Sequence, residues 1–147
     1  LPAIEAAERN MIHNAANPAV AACTHVGHHG DAFEVMDRLI RNNETFDLVI
    51  IDPPSFAQRQ ASVEGALAAY ERLAQRGFKL TADGGTLMQA SCSSRVPPAD
   101  FFDAVRFSAR REGVELREFD RTGHPVDHPI DFTQGEYLKA LYATVHH

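Results

Sequence analysis

The hydrophobic positions of this chain alternate between helical and strand periods. From Leu1 to Ala16, Ile4, Ala7, Met11 and Ile12 fall at helical spacing, with Glu5, Glu8 and Arg9 opposite. This predicts a helix that Asn17-Pro18 ends, because proline biases the residue before it away from the helical region. Cys23 to Gly27 reads as a short strand. Asp31 then caps a helix over 32–41, with Phe33, Met36, Leu39 and Ile40 as its buried stripe. Phe46 to Ile51 is apolar and β-branched almost throughout, the pattern of a strand covered on both faces. It stops at Asp52-Pro53-Pro54, where two prolines prevent further ladder pairing. A helix over 63–80 follows, carrying Leu67, Tyr70, Leu73 and Phe78. Asp83-Gly84-Gly85 turns the chain into a strand from Thr86 to Ala90, which runs out in Ser91-Cys92-Ser93-Ser94. Pro97-Pro98 opens a helix with Phe101, Phe102, Val105 and Ala109 inward. Val114 to Phe119 alternates as a strand, a loop with two His-Pro pairs follows, and Tyr137 to Val145 is the last strand.

Helices alternating with strands in this way predict an α/β fold, with a parallel sheet covered by helices on both faces. No helix separates the last two strands, so one of them is expected to run antiparallel. The length of 147 residues suits one domain with a real core. A hydrophobic content of 44% and a charged content of 23% are those of an ordinary globular protein and argue against disorder. The apolar runs fall far short of the roughly 20 residues that cross a bilayer, and no secretory-signal pattern is visible. Two cysteines make no disulfide framework and point to a reducing cytoplasm. A net charge of -6 disfavours non-specific nucleic-acid binding by bulk electrostatics, but it leaves room for a local basic groove.

In open α/β sheets, ligands sit beyond the carboxyl ends of the strands. Two polar clusters fall there, Asp52-Pro53-Pro54-Ser55-Phe56 and Ser91-Cys92-Ser93-Ser94. The prolines stiffen the backbone under Asp52, and a rigid carboxylate can grip an N–H or share a proton with a ring nitrogen. Phe56 offers a stacking surface to a planar base. The plainer reading is a strand ending in an ordinary Asp-Pro turn. Cys92 is either a small buried hydrophobe or a reactive thiol flanked by hydroxyls. Cys23 reads as structural. His25, His28, His29, His124 and His128 lack metal-ligand spacing, so no metal is expected. Asp31 is a helix cap that can also reach a ligand along the strand ends.

Taken together, Asp52-Pro53-Pro54-Ser55-Phe56, Gly84-Gly85 and Ser91-Cys92-Ser93 resemble S-adenosylmethionine-dependent RNA methyltransferases of class I fold. The tail, Gly123-His124-Pro125-Val126-Asp127-His128-Pro129 and then Gly135-Glu136-Tyr137-Leu138-Lys139, sharpens the resemblance. It is similar to the bacterial 23S ribosomal RNA cytosine-C5 methyltransferases of the large-subunit methyltransferase I type, across nearly the whole chain. The resemblance implies that Cys92 is the nucleophile that adds to C6 of cytosine. Asp52 would hold or protonate N3 and contact the cofactor. Asp31, Ala32 and Phe33 would contact the cofactor adenine, and Pro53, Pro54 and Phe56 would bind substrate. It implies S-adenosylmethionine as cofactor and ribosomal RNA as partner.

The family's glycine-rich cofactor loop, its ribose-binding acid and its amino-terminal PUA-type RNA-binding domain are not found in these residues. The expectation is therefore a partial catalytic domain over 1–147, a Rossmann-like class I methyltransferase sheet lacking its first two strands, with the last strand antiparallel. Of the family's strand order 3-2-1-4-5-7-6 it would keep strands 3 to 7. It would hold the cofactor poorly alone, and its bare sheet edge would invite a homodimer. Two other readings compete. One is an amino-group methyltransferase acting on an exocyclic base nitrogen, although Ser55 stands where that chemistry usually has an aromatic. The other is a non-catalytic methyltransferase-like module for RNA binding or dimerisation. Arg59, Arg95, Arg110 and Arg111 are candidate RNA contacts.

Overall fold

The computed structural model describes residues 2–56, 62–127, 129–130, 132, 135 and 137–147. Arg59, His128 and Glu136 of the sequence reading lie outside them. The chain divides into two compact units, Leu1–Val35 and Met36–His147.

In the first unit, α1 spans Pro2–His13 and α2 spans Pro18–Ala21. The Asn17-Pro18 pair does more than stop a helix. Asn17 caps α2, its side-chain oxygen accepting from the Ala19 amide at 3.0 Å, while Pro18 takes the first helical position. The strand expected at Cys23 to Gly27 does not form. Residues 23–29 have no regular structure and are exposed, and a lone extended segment has no ladder to satisfy its backbone groups. Helix α3, Ala32–Arg41, begins in this unit as read and ends in the next; its apolar stripe is only half-buried, and Ile12 of α1 is exposed.

The second unit holds the core. Strand β1 (Phe46–Ile51) is followed by α4 (Val63–Leu80), β2 (Thr81–Ser91), α5 (Pro98–Glu112), β3 (Glu115–Thr122) and β4 (Lys139–His146). The four strands form one sheet in the order β1-β2-β4-β3. β1 and β2 are parallel, and β4 runs antiparallel to both β2 and β3. The last strand is thus the antiparallel one.

The period-two pattern decides which face is covered. Ile51, Leu87, Gln89, Ser91, Lys139, Leu141, Ala143 and Val145 are buried and share one face by register. Helix α4 packs there: Gln89 Nε2 donates to the Tyr70 carbonyl at 3.0 Å, and Gly77 lies against Ile51 and Leu87. Helix α5 packs beside α4 and buries Phe101, Phe102, Val105 and Ala109, the stripe read from its sequence. The expectation of two-sided cover fails for β1, where Leu48 is 56% and Ile50 62% exposed. An unbroken apolar run does not by itself say that both of its faces are buried.

Strand β2 begins five residues earlier than read, so Asp83-Gly84-Gly85 lies inside it. The pairing of β1 with β2 shifts register here, between Phe46 and Leu48. A Cβ at Gly85 would lie 2.9 Å from the Ala82 carbonyl oxygen and 3.1 Å from that of Asp47. Glycine is what lets the two strands close at this irregularity. Gly85→Ala should therefore destabilise the fold by about 1–3 kcal/mol, the usual range for overpacking a tight site. Urea unfolding would show this as a lower midpoint, and an unchanged midpoint would contradict the close approach.

Candidate active site at two strand tips

Because β1 and β2 are parallel and Ile51 pairs with Gln89, their carboxyl ends emerge side by side. The structure thereby brings together the two clusters singled out in the sequence. Asp52 and Pro54 are exposed, while Pro53 and Phe56 are half-buried. Cys92 is half-buried, and its thiol points to the Pro53 carbonyl oxygen at 3.8 Å, a long S–H···O contact that joins the tips. Ser55 Oγ and Ser93 Oγ lie 3.1 Å apart and make a second bridge.

Tyr70 of α4 anchors the second bridge and the end of β2 from below. Its hydroxyl lies 2.8 Å from Ser91 Oγ and 3.0 Å from Ser93 Oγ, and the ring is fully buried. The Ser93 amide donates to Ser91 Oγ at 3.3 Å. Phe56 packs edge-on against the Tyr70 ring at 5.2 Å between centroids, and Phe101 packs on it at 5.0 Å. In the sequence, Tyr70 reads only as part of a helical stripe. The missed signal was chemical: a tyrosine in an apolar stripe still needs a partner for its hydroxyl.

A second residue was missed. Lys139, at the start of β4 and paired with Ser91, is 2% exposed. Its ammonium donates to the carbonyls of Ser93 at 2.6 Å, Val96 at 2.7 Å and Tyr137 at 3.3 Å. Burial pushes it down from the ordinary lysine value to about 8, and the negative charge of a Cys92 thiolate pulls the other way.

The His-Pro loop reaches the same neighbourhood. His124 Nε2 accepts from the amides of Tyr137 at 3.2 Å and Leu138 at 3.1 Å, which places the proton of a neutral ring on Nδ1. A cavity of about 520 Å³ is lined by His124, Pro125, Phe102, Arg121, Leu138 and Lys139, among others. Arg121 stacks 4.5 Å over the Phe102 ring and pairs with Glu118.

Asp31, Ala32 and Phe33 belong to the first unit. Asp31 Oδ1 accepts from the amides of Phe33 at 2.9 Å and Glu34 at 3.2 Å, the cap expected from the sequence. Arg95, Arg110 and Arg111 are exposed, with Arg111 paired to Glu71 at 3.7 Å. Among the described residues, no group of three or more His, Cys, Asp or Glu could hold a metal ion. No helix among them is long and apolar enough to cross a membrane.

Parallel β1 and β2, an antiparallel final strand and two polar tips at adjoining carboxyl ends define the α/β fold of class I methyltransferases. A crystal structure of a protein assigned as a methyltransferase, complexed with SAH, aligns with a TM-score of 0.65 at 22% identity, over 78% of this chain and 30% of that one. A methyltransferase homologue from Pyrococcus horikoshii aligns with a TM-score of 0.58 at 15% identity, over 96% of this chain and 50% of that one. More particularly, the chain is homologous to the ribosomal RNA large subunit methyltransferases. It is 41% identical over 140 residues to the protein of that name from Deinococcus radiodurans, covering 95% of this chain and 33% of the relative. Its identity to ribosomal RNA large subunit methyltransferase I of Shewanella amazonensis is 33% over 146 residues, covering 97% and 36%. The chain thus spans about a third of the length of these relatives. No protein-family model matches it.

Proposed function

We propose that these residues are the catalytic segment of a longer S-adenosylmethionine-dependent RNA methyltransferase that methylates C5 of a cytosine in large-subunit ribosomal RNA, with Cys92 as nucleophile. The observation that carries this reading is the placing of the Cys92 thiol against Pro53 of the Asp-Pro-Pro loop. An amino-group methyltransferase gives a thiol there nothing to do.

The chemistry follows from the pyrimidine. Attack of the Cys92 thiolate on C6 forms an S–C6 bond and breaks the C5=C6 π bond. The displaced electrons move toward N3, where Asp52, exposed at the tip of β1, can supply a proton or a hydrogen bond. C5 is then an enamine carbon, nucleophilic enough to accept a methyl group. Loss of the C5 proton to a base or water restores the C5=C6 bond and expels the Cys92 thiolate. Pro53 and Pro54 fix the height of Asp52 over the sheet edge, and Phe56 forms part of the wall facing substrate.

S-adenosylmethionine, when bound, supplies the electrophilic methyl group. The first turn of α3 suits the edge of its purine: Asp31 and Ala32 are exposed there, Phe33 is half-buried beside them, and two backbone amides hold the Asp31 carboxylate in place. RNA grip in this reading falls to exposed arginines such as Arg95 and to parts of the protein outside these residues.

Ribosomal RNA from cells lacking the gene tests the reading. Mapping of 5-methylcytosine should show the loss of a large-subunit C5 mark, restored by the wild-type gene. Loss of an exocyclic N4-methyl mark instead, with every C5 mark intact, would overturn it.

A further inference from the structure

Lysine is rarely buried without a carboxylate partner, because its ammonium loses most of its hydration. Lys139 is 2% exposed, and among the described residues no carboxylate lies within ion-pair distance of it. Its ammonium instead has three main-chain carbonyls. Two of these, Ser93 and Val96, belong to the loop that carries Cys92 away from β2. The third, Tyr137, belongs to the segment that His124 holds through the amides of residues 137 and 138. Packing alone would be served by an uncharged side chain, so this placement calls for a use of the charge.

We propose that Lys139 is a positioning residue for Cys92: its ammonium clamps the 93–96 loop and keeps a fixed positive charge beside the attacking thiolate. The inference rests on the reading of Cys92 as nucleophile. The geometry explains how the clamp works. Ser91 pairs with Lys139 across the antiparallel ladder, so the residue before Cys92 is fixed by β4, while the residue after it is fixed by Nζ. The Ser91 and Ser93 hydroxyls are meanwhile held by Tyr70. Cys92 is left as the one member of the Ser91–Ser93 stretch whose side chain can turn toward a ligand. Among the described residues, the other ionisable groups placed near Lys139 are Tyr70 on α4, whose hydroxyl meets Ser93, His124 and Tyr137 ahead of β4, and Arg121 on β3. None of them is a carboxylate that would neutralise the ammonium. An amine that has lost its charge keeps two N–H donors for three carbonyls, so deprotonation both slackens the clamp and removes the charge.

The test reads Cys92 without methyl transfer. Iodoacetamide alkylation of Cys92 in the full-length protein, followed by peptide mass spectrometry to isolate the Cys92 peptide, should be several-fold slower in Lys139→Met at pH 7, because the thiolate is the reacting form and the variant removes the positive charge beside it. The ratio of wild-type to variant rates should shrink toward one as pH rises through about 8, where Lys139 loses its proton. A purely structural role gives a ratio independent of pH, and that result would overturn the inference, as would equal rates at pH 7. If Lys139→Met does not fold, the wild-type chain still decides the matter. Carbon-13 NMR of the lysine side chains in the full-length protein can follow Lys139 as the signal that titrates near 8. Its titration midpoint should fall in Cys92→Ser, and an unmoved midpoint would overturn the inference. Outcomes for the nucleophile are separable: slowed alkylation with full methylation by Cys92→Ala would retain the clamp and reject the mechanism.

Discussion

Cys92→Ala in the full-length enzyme is expected to abolish C5 methylation, with kcat falling about a thousandfold or more, as for loss of a covalent nucleophile. A thiolate adds to C6 and later leaves more readily than a serine hydroxyl, and Cys92 is the cysteine of the β2 tip. The serines beside it are committed elsewhere, Ser91 and Ser93 to Tyr70, and Ser93 also to Ser55. Folding should be little affected, because Cys92 is half-buried and its polar contact is a long 3.8 Å approach to Pro53. The check is methyl incorporation into ribosomal RNA, with thermal unfolding confirming an intact fold. Retained turnover would remove the covalent mechanism and leave the amino-group reading in its place.

Asp52→Ala should give the second largest loss, about 10²–10⁴-fold in kcat, the range for removal of a group that handles a proton in the transition state. Asp52 is exposed and follows the last β1 residue, so the substitution disturbs neither the ladder nor the core. Asp52→Asn should recover part of the loss, since an amide can hydrogen-bond N3 but cannot deliver a proton. Single-turnover kinetics on saturating RNA would show the defect in the chemical step. A change confined to KM would make Asp52 a binding residue only.

Much of this was legible in the sequence where local chemistry decides the outcome. The run from Phe46 to Ile51 gave β1 its bounds, the helix over 63–80 emerged with the ends expected, and Asp31 caps α3 as its position suggested. That the two clusters adjoin was legible because both follow strands, and parallel neighbours place their carboxyl ends together. What stayed hidden depends on contacts distant in sequence. Lys139 lies 46 residues from the Ser93 carbonyl it holds, and only the β2–β4 pairing reveals that it is buried. Tyr70 looked like core until its hydroxyl had partners. The exposed face of β1 and the unformed strand after Cys23 share one cause: composition reports whether a segment can be buried or paired, not whether a neighbour is there to do it.

The most direct measurement of the account is a covalent trap. Fluorine at C5 of the target cytosine cannot leave as a proton, so the final elimination stalls and the bond from Cys92 to C6 persists. The full-length enzyme, incubated with S-adenosylmethionine and large-subunit ribosomal RNA carrying 5-fluorocytosine, should form a protein–RNA adduct that survives denaturation. Peptide mass spectrometry should place the adduct on Cys92, and Cys92→Ala should form none. Methylated RNA without an adduct, or an adduct on another residue, would contradict the account.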